Sequence, residues 1–512
     1  MKRFKFIKRL FCIFAVVIVA FLGAIITTEP VIARPGGGHG YHGGGGGHSS
    51  GHSHSGSHSS SHHSYSGGGS SYSSSDNMSF EDLICMFILF VIGSIVYGIY
   101  SLGERIFGGS RKKVNVISNP PQKVLQSIQS KTDKAIKRFQ QKDPNFSLPV
   151  FLDFATVLYT KFYSYSGTKE INKLSPFFTS LKTKQDRTFH EIVIGDVSVY
   201  QLNVEKDRIV LTFNSNVTSV YKNNNAALRL EMQERWDFTR KKGSLSPEPQ
   251  GFGVLRCPNC GGSADFTEAG VCPHCGSTIT FDFGQWYVAN RVVTRQEQTY
   301  TDDMLSYAEE YGTDSPTIFS SDLSLMSKEF ASNNPNLQSY SNFAEQIVKP
   351  CFLDIYKFWN DNEWDKASFL VSERQWQVMN FYIEDYKKLG YFNRVTSPKI
   401  SKMQVVKYTV DKNYESITVR IFASCCDFVE DSHGKCLAGN KRVPRSFSEY
   451  WTFVSRKGVN RKKHDSHVCP SCGAPADKIG QGGICGYCGS KITDGNFSWI
   501  LFNITQDEEY KG

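Results

Sequence analysis

At 512 residues the chain is too long for one ordinary domain, and at roughly 150 residues per unit it suggests about three. A hydrophobic share of 40% excludes global disorder, and 14 cysteines fall well below the density of a disulfide scaffold. The net charge of +9 is unevenly placed: residues 1–34 carry +5, 35–103 carry −3 and 104–142 carry +8, leaving −1 for 143–512. A nearly neutral body of that size argues against nucleic-acid binding.

The N-terminus joins a basic stretch, Lys2 to Arg9, to an apolar run from Leu10 to Ile26, followed by small residues at Val31-Ile32-Ala33. Residues 1–33 therefore read as a secretory signal peptide or an uncleaved signal anchor. Residues 34–79 are almost wholly Gly, Ser and His, including His39, His42, His48, His52, His54, His58, His62 and His63. With no apolar residue in 35–75 to build a core, this tract is expected to be disordered. It serves as a soluble spacer or as a Zn or Ni capture segment.

Leu83 to Leu102 is twenty residues without a charge, about 30 Å as a helix, so 80–103 is expected to be a transmembrane helix. Acidic residues precede it and Arg105, Arg111, Lys112 and Lys113 follow it. The positive-inside rule then places everything after 104 in the cytoplasm and the His/Gly/Ser tract outside. Residues 104–142 form a basic juxtamembrane segment. Within it, 123–139 has apolar residues near helical spacing among lysines, which suits either an anionic leaflet surface or packing on the next domain.

The body repeats one pattern twice. Asp143-Pro144-Asn145-Phe146 opens the first copy and Asn334-Pro335-Asn336-Leu337 the second. Each leads into an aromatic helical stretch, Phe151 to Tyr163 and Phe343 to Trp359, and then into strands rich in β-branched and aromatic residues. Glu234-Arg235-Trp236-Asp237-Phe238 aligns with Glu449-Tyr450-Trp451-Thr452-Phe453. The expected units are α+β domains over 143–250 and 331–462, separated by a linker at 291–330.

A cysteine cluster follows each copy. Cys257, Cys260, Cys272 and Cys275 form two Cys-x-x-Cys knuckles, as do Cys469, Cys472, Cys485 and Cys488. Such knuckles place four thiolates around one Zn²⁺, giving zinc ribbons at 251–290 and, with a terminal strand, 463–512. A disulfide pair or a redox motif fits a cytoplasmic double knuckle less well. Four thiolates close the site and leave no ligand position for a catalytic water, so the zinc is expected to be structural. His274 lies inside a knuckle as a possible substitute ligand. Cys12, Cys85, Cys351, Cys425, Cys426 and Cys436 lack metal spacing and are expected to be core thiols. The aromatic stretches after the ribbons, Phe281 to Tyr287 and Phe497 to Trp499, suggest that each ribbon packs back on its own domain.

The stretch SFSEYWTFVSRKG, followed by CPSCGAP, GGICGYCGSKIT and GNFSWILFNITQDE, resembles bacterial membrane proteins of the translocase-of-the-inner-membrane subunit 44-like family. Ala33-Arg34-Pro35-Gly36-Gly37-Gly38, residues Trp364 to Ser372 and the strand Ile417-Thr418-Val419-Arg420-Ile421 fit the same family. The resemblance covers most of 80–505 and is strongest in the second copy. In the first, Trp236-Asp237 replaces the usual aromatic-Trp-Thr, which marks a diverged domain. The resemblance implies cone-shaped domains of the nuclear transport factor 2-like type, with helices wrapped on a curved antiparallel sheet. It also implies association with the bacterial inner (plasma) membrane; the mitochondrial relative tethers a chaperone at a protein-import channel.

The expected function is that of a membrane-anchored, non-enzymatic scaffold presenting these domains to a polypeptide, lipid or protein partner, without nucleic acid. The alternatives are metal handling through the exported histidines, or isomerase-type chemistry in the cone. For the latter, His190, His274, His433, His464 and His467 form no motif with a carboxylate.

Overall fold

A computed structural model describes residues 122–512 apart from 184, 250, 300–313, 460, 462–467, 476–478, 480–482 and 508. The signal or anchor, the exported tract, the expected span and residues 104–121 lie outside the described residues. Among the described residues no helix is long and apolar enough to cross a membrane.

The first helix, α1 (Gln122–Lys142), runs over the stretch whose apolar spacing predicted it. It packs on the body rather than standing free. Phe139 is buried against Phe146 and Trp286. Asp133 pairs with Lys407 at 2.9 Å and Lys137 with Asp322 at 2.7 Å. Lys131, Lys134 and Arg138 remain exposed on the outer side.

The first half continues with α2 (Leu148–Tyr165), opened by Pro149, whose fixed φ suits a first helical turn. A 3₁₀ segment (Lys169–Phe177) follows, then β1 (Arg187–Asn203), β2 (Arg208–Tyr221), β3 (Ala227–Thr239) and β4 (Tyr287–Thr299). The second half runs α3 (Leu323–Asn333), then α4 (Tyr340–Phe343), which passes through a π-helical turn (Ala344–Val348) into α5 (Lys349–Asn360). A 3₁₀ segment (Trp364–Phe369) and α6 (Glu373–Lys388) lead to β5 (Tyr391–Val410), β6 (Tyr414–Asp431), β7 (Cys436–Gly439), β8 (Arg445–Arg456) and β9 (Ile500–Gln506). Both sheets are antiparallel, in the orders β1-β2-β3-β4 and β5-β6-β8-β9, with the short β7 added beside β6.

The two halves share their irregularities as well as their strands. Three register shifts interrupt β1 and three interrupt β5; extra residues of this kind bend a strand and raise its twist. After each 3₁₀ segment the chain makes one parallel bridge to the last strand, Phe178 to Val288 and Val371 to Leu501. The β4 strand crosses the boundary expected at residue 290. The residues read as the start of a linker instead form the fourth strand of the first sheet, hydrogen-bonded to β3 from Tyr287 to Thr299. In the second half β9 pairs with β8 in the same way. Each ribbon is therefore inserted between the third and fourth strands of its sheet.

Helices and sheets meet through aromatic side chains. In the first half Tyr159 stacks on Phe213 at 4.6 Å and tilts against Trp236 at 5.0 Å; in the second Phe352 stacks on Tyr356 at 4.4 Å and meets Trp451 at 5.5 Å. The α2 aromatics Phe151, Tyr159, Phe162 and Tyr163 are buried core. The aligned Glu-x-Trp pairs do the same job twice. Trp236 Nε1 donates to Glu234 at 2.6 Å and Trp451 Nε1 to Glu449 at 2.9 Å, all four side chains being buried. Glu234 also accepts from the Tyr163 hydroxyl, so the buried carboxylate keeps partners for its lone pairs.

The openings of the two copies each anchor an arginine, buried in the first half and half-buried in the second. Arg240 binds Asp143 at 2.7 Å and lies 3.6 Å from Asp207, with all three side chains at 1% exposure or less. In the second half Arg461 donates to Asn334 Oδ1 at 2.7 Å and pairs with Glu415, while Asn334 Nδ2 donates to Glu415 at 2.7 Å. Each guanidinium also lies over the tryptophan that follows its ribbon, Arg240 over Trp286 at 4.7 Å and Arg461 over Trp499 at 4.8 Å.

The halves contact each other through polar and apolar groups. Arg229 of β3 binds Asp385 of α6 with two hydrogen bonds (2.5 and 2.9 Å), Lys388 reaches Glu191 at 2.7 Å, and Arg374 donates to the Gly195 carbonyl at 2.9 Å. Near this contact Asp153 is half-buried and accepts from the Gly253 N–H. Burial pushes its carboxyl up to about 6, against the opposing pull of Lys491 and the Gly253 N–H; Asp411 and Asp494 are raised as well, mainly by burial.

An aspartate whose folded value is raised binds its proton more tightly in the native state. Its contribution is present at acid pH and lost as pH rises through about 6, a change on the order of 2–3 kcal/mol. Asp153→Asn is expected to flatten the stability profile between about pH 4 and pH 6. Urea unfolding of wild type and variant at both values checks this; unchanged pH dependence would refute it.

Candidate metal centres

Each knuckle is a miniature hairpin. Single antiparallel bridges close all four, Arg256 to Ser263, Val271 to Thr278, Val468 to Pro475 and Ile484 to Lys491. Within them the N–H groups of Gly261, Gly276, Gly473 and Gly489 return to the carbonyls of Cys257, Cys272, Cys469 and Cys485 at 2.7–2.9 Å. These four glycines sit at φ of 74°, 70°, 74° and 74°, a left-handed backbone that a side chain disfavours. This is why a glycine follows the second cysteine every time.

The hairpins bring the expected ligands together. Cys257, Cys260, Cys272 and Cys275 form one cluster and Cys469, Cys472, Cys485 and Cys488 another; either could hold a metal ion. Sulfur separations are 4.0 Å (257 to 275), 3.8 Å (260 to 272), 3.9 Å (469 to 488) and 3.8 Å (472 to 485). A tetrahedron with Zn–S near 2.3 Å has an edge of about 3.8 Å, so the residues fit that ion. A disulfide needs about 2.05 Å, and these cysteines are free. His274 is outside the cluster; its ring lies over Gly262.

One cysteine in each ribbon is prepared as a thiolate by the same device. Hydrogen bonds from the Asn259 and Ser277 side chains draw the Cys275 thiol down to about 5. Those from the Ser490 side chain and N–H draw Cys488 down to about 6. For Cys260 the Gly262 N–H lowers the value, but desolvation and the neighbouring thiols push it up to about 11; Cys472, with the Ala474 N–H in that role, rises to about 12. Four crowded sulfurs ionise together only when a cation joins them.

The inner ligands are part of the core. Cys257 and Cys272 pack with Leu255, Phe266 and Ile279 in the hydrophobic cluster of the first half, and Phe266 lies 5.9 Å from Phe177. Cys469 and Cys485 pack with Ile492 on Phe369 of the second. Each ribbon thus rests on its own domain; of the aromatic residues after the first ribbon, Trp286 packs on Phe139, Phe146 and Phe151, whereas Phe281 and Phe283 are exposed. Of the other cysteines, Cys351, Cys425 and Cys426 are buried, whereas Cys436 is exposed on β7 rather than in a core; Cys12 and Cys85 lie outside the described residues. His190 meets Thr188 at 3.1 Å and His433 sits on an exposed turn; His464 and His467 lie outside the described residues.

With this geometry in place, comparison with known proteins identifies one region. Residues 333–465 match the Tim44-like domain. That family is associated with membranes and protein interactions, which suggests a membrane-associated scaffold or binding role. The matched residues run from the end of α3 through β8. The second ribbon's cysteines, β9 and the whole first half lie beyond them. No curated protein matches the chain. Sequence reasoning gave no role to Phe252 or to Lys491, although Lys491 lies in the stretch GGICGYCGSKIT.

Proposed function

We propose that the chain is a membrane-anchored, non-enzymatic binding or scaffold protein. Its two α+β domains present surfaces to a polypeptide, lipid or protein partner, and its eight knuckle cysteines hold two structural Zn²⁺ ions. The span at 80–103 anchors it in a bacterial inner membrane with the domains in the cytoplasm, and the domains take the nuclear transport factor 2-like form. The match of 333–465 to the Tim44-like domain carries this reading.

The chemistry of the interior supports it. Aromatic side chains fill the contact between helix and sheet, and the buried carboxylates Glu234 and Glu415 are bonded to donors of the chain itself. The metal clusters are four-sulfur sites, which brace a fold rather than activate water. Bound zinc would supply structural cross-linking and no reacting group. Full-length protein in mild detergent is expected to carry a co-purifying polypeptide or lipid by native mass spectrometry. It should also crosslink to a partner in membranes. Empty protein with no crosslinked partner would overturn the proposal.

A further inference from the structure

The three residues that lead toward the first ribbon sit between α2 of the first half, through Val150 and Asp153, and the sheet and ribbon of the second half. Phe252 is buried in a cluster with Tyr414 of β6, Val454 of β8 and Phe502 of β9; it stacks on Tyr414 at 5.1 Å. The glycines on either side permit the approach. A Cβ on Gly251 would come within 2.8 Å of Asp494 Oδ2, and one on Gly253 within 1.8 Å of Lys491 Nζ. Gly253 N–H donates to Asp153, and Lys491 in turn reaches Glu373 at 3.0 Å.

Lys491 and Asp494 belong to the exit of the second ribbon. Lys491 bridges Ile484 and the Ile492 N–H returns to the Gly483 carbonyl at 2.8 Å. That strand pair encloses the knuckle Cys485 to Cys488. On the other side, Gly253 is followed by buried Leu255, whose carbonyl receives the Ala264 N–H at 2.8 Å, and then by Cys257. No residue from Gly251 to Cys257 is exposed, and Lys491 stands three residues after Cys488.

We infer that the two metal centres are thermodynamically coupled through Gly251-Phe252-Gly253, so that loading either one favours loading of the other. The inference rests on the reading that both clusters hold zinc. Metal at the second ribbon fixes the 483–492 strand pair and with it the wall against which the 251–253 segment sits. A seated segment presents Leu255 and Cys257 in register for the first knuckle. Linkage makes the effect reciprocal.

The test uses the full chain in mild detergent, zinc as the probe, and native mass spectrometry during chelator titration. Cys472→Ser removes an exposed ligand of the second ribbon and is expected to weaken zinc retention at the intact first ribbon at least about fivefold, the lower range of measured couplings. Phe252→Ala keeps all eight cysteines and is expected to hold two zinc ions at saturation. Added to Cys472→Ser, it should weaken the first ribbon by less than the sum of the two separate effects, the signature of a shared route. Circular dichroism checks that each variant remains folded. Unchanged first-ribbon affinity in Cys472→Ser, or full additivity of the two changes, would overturn the coupling. Wild-type protein that takes up no zinc would instead overturn the assignment of the clusters.

Discussion

Cys272→Ser is expected to lower zinc content from two ions per chain to one and to destabilise the first half more than any other single substitution there. Cys272 is wholly buried and lies in both the sulfur cluster and the hydrophobic core. Structural zinc contributes about 10–16 kcal/mol of apparent binding free energy in small ribbons at neutral pH, and a three-thiolate site forfeits much of it. The effect should show as early unfolding of 187–299 by hydrogen exchange, with β4 losing protection alongside β3. Cys436→Ser, at an exposed thiol outside both clusters, should leave metal content and protection unchanged. Two zinc ions in Cys272→Ser, measured by elemental analysis, would contradict the assignment.

The second large effect concerns charge rather than metal. Arg240→Met keeps the apolar stem and removes the cation that faces Asp143 and Asp207, both fully buried. Breaking a buried pair by deleting one partner costs about 3–5 kcal/mol, because the remaining carboxylates are left without compensation. Lys142, 3.1 Å from Asp207, offsets part of this for one of them. Adding Asp143→Asn, the residue type that the second half uses at Asn334, should recover a portion of the loss. Denaturant unfolding of the three proteins checks the order; a single variant within about 1 kcal/mol of wild type would show that the clamp contributes little.

The legible parts of this molecule were local patterns. Alternation in EIVIGDVSVYQLNV and YESITVRIFAS marks strands because every second side chain meets one face. Each knuckle carries its ligands and its turn glycine within five residues, so spacing alone gathers the cysteines. The clamp was not legible, since Arg240 and Asp143 lie far apart in sequence and nothing in either neighbourhood names the other. Nor was the insertion of the ribbons, because pairing β4 with β3 is a choice made across the whole cysteine segment. One signal was available: Trp286 and Trp499 both stand eleven residues after the last cysteine of their ribbon. Aligning the copies that far would have joined the post-ribbon strand to the domain. Phe252 gave no signal, because its surroundings are made by the other half.

Ribbon placement also has a consequence for synthesis. Three strands of the first sheet leave the ribosome before the metal-binding hairpins, and the fourth leaves only after them. Until then β3 presents an unsatisfied edge, the kind of surface that recruits foreign strands. Capture of an ion would draw the intervening chain into a compact unit and shorten the search by which β4 finds β3. A cell starved of zinc would therefore be expected to accumulate the nascent protein with its sheets unfinished, first as chaperone-bound chains and then as aggregates, before any mature copy lost its metal.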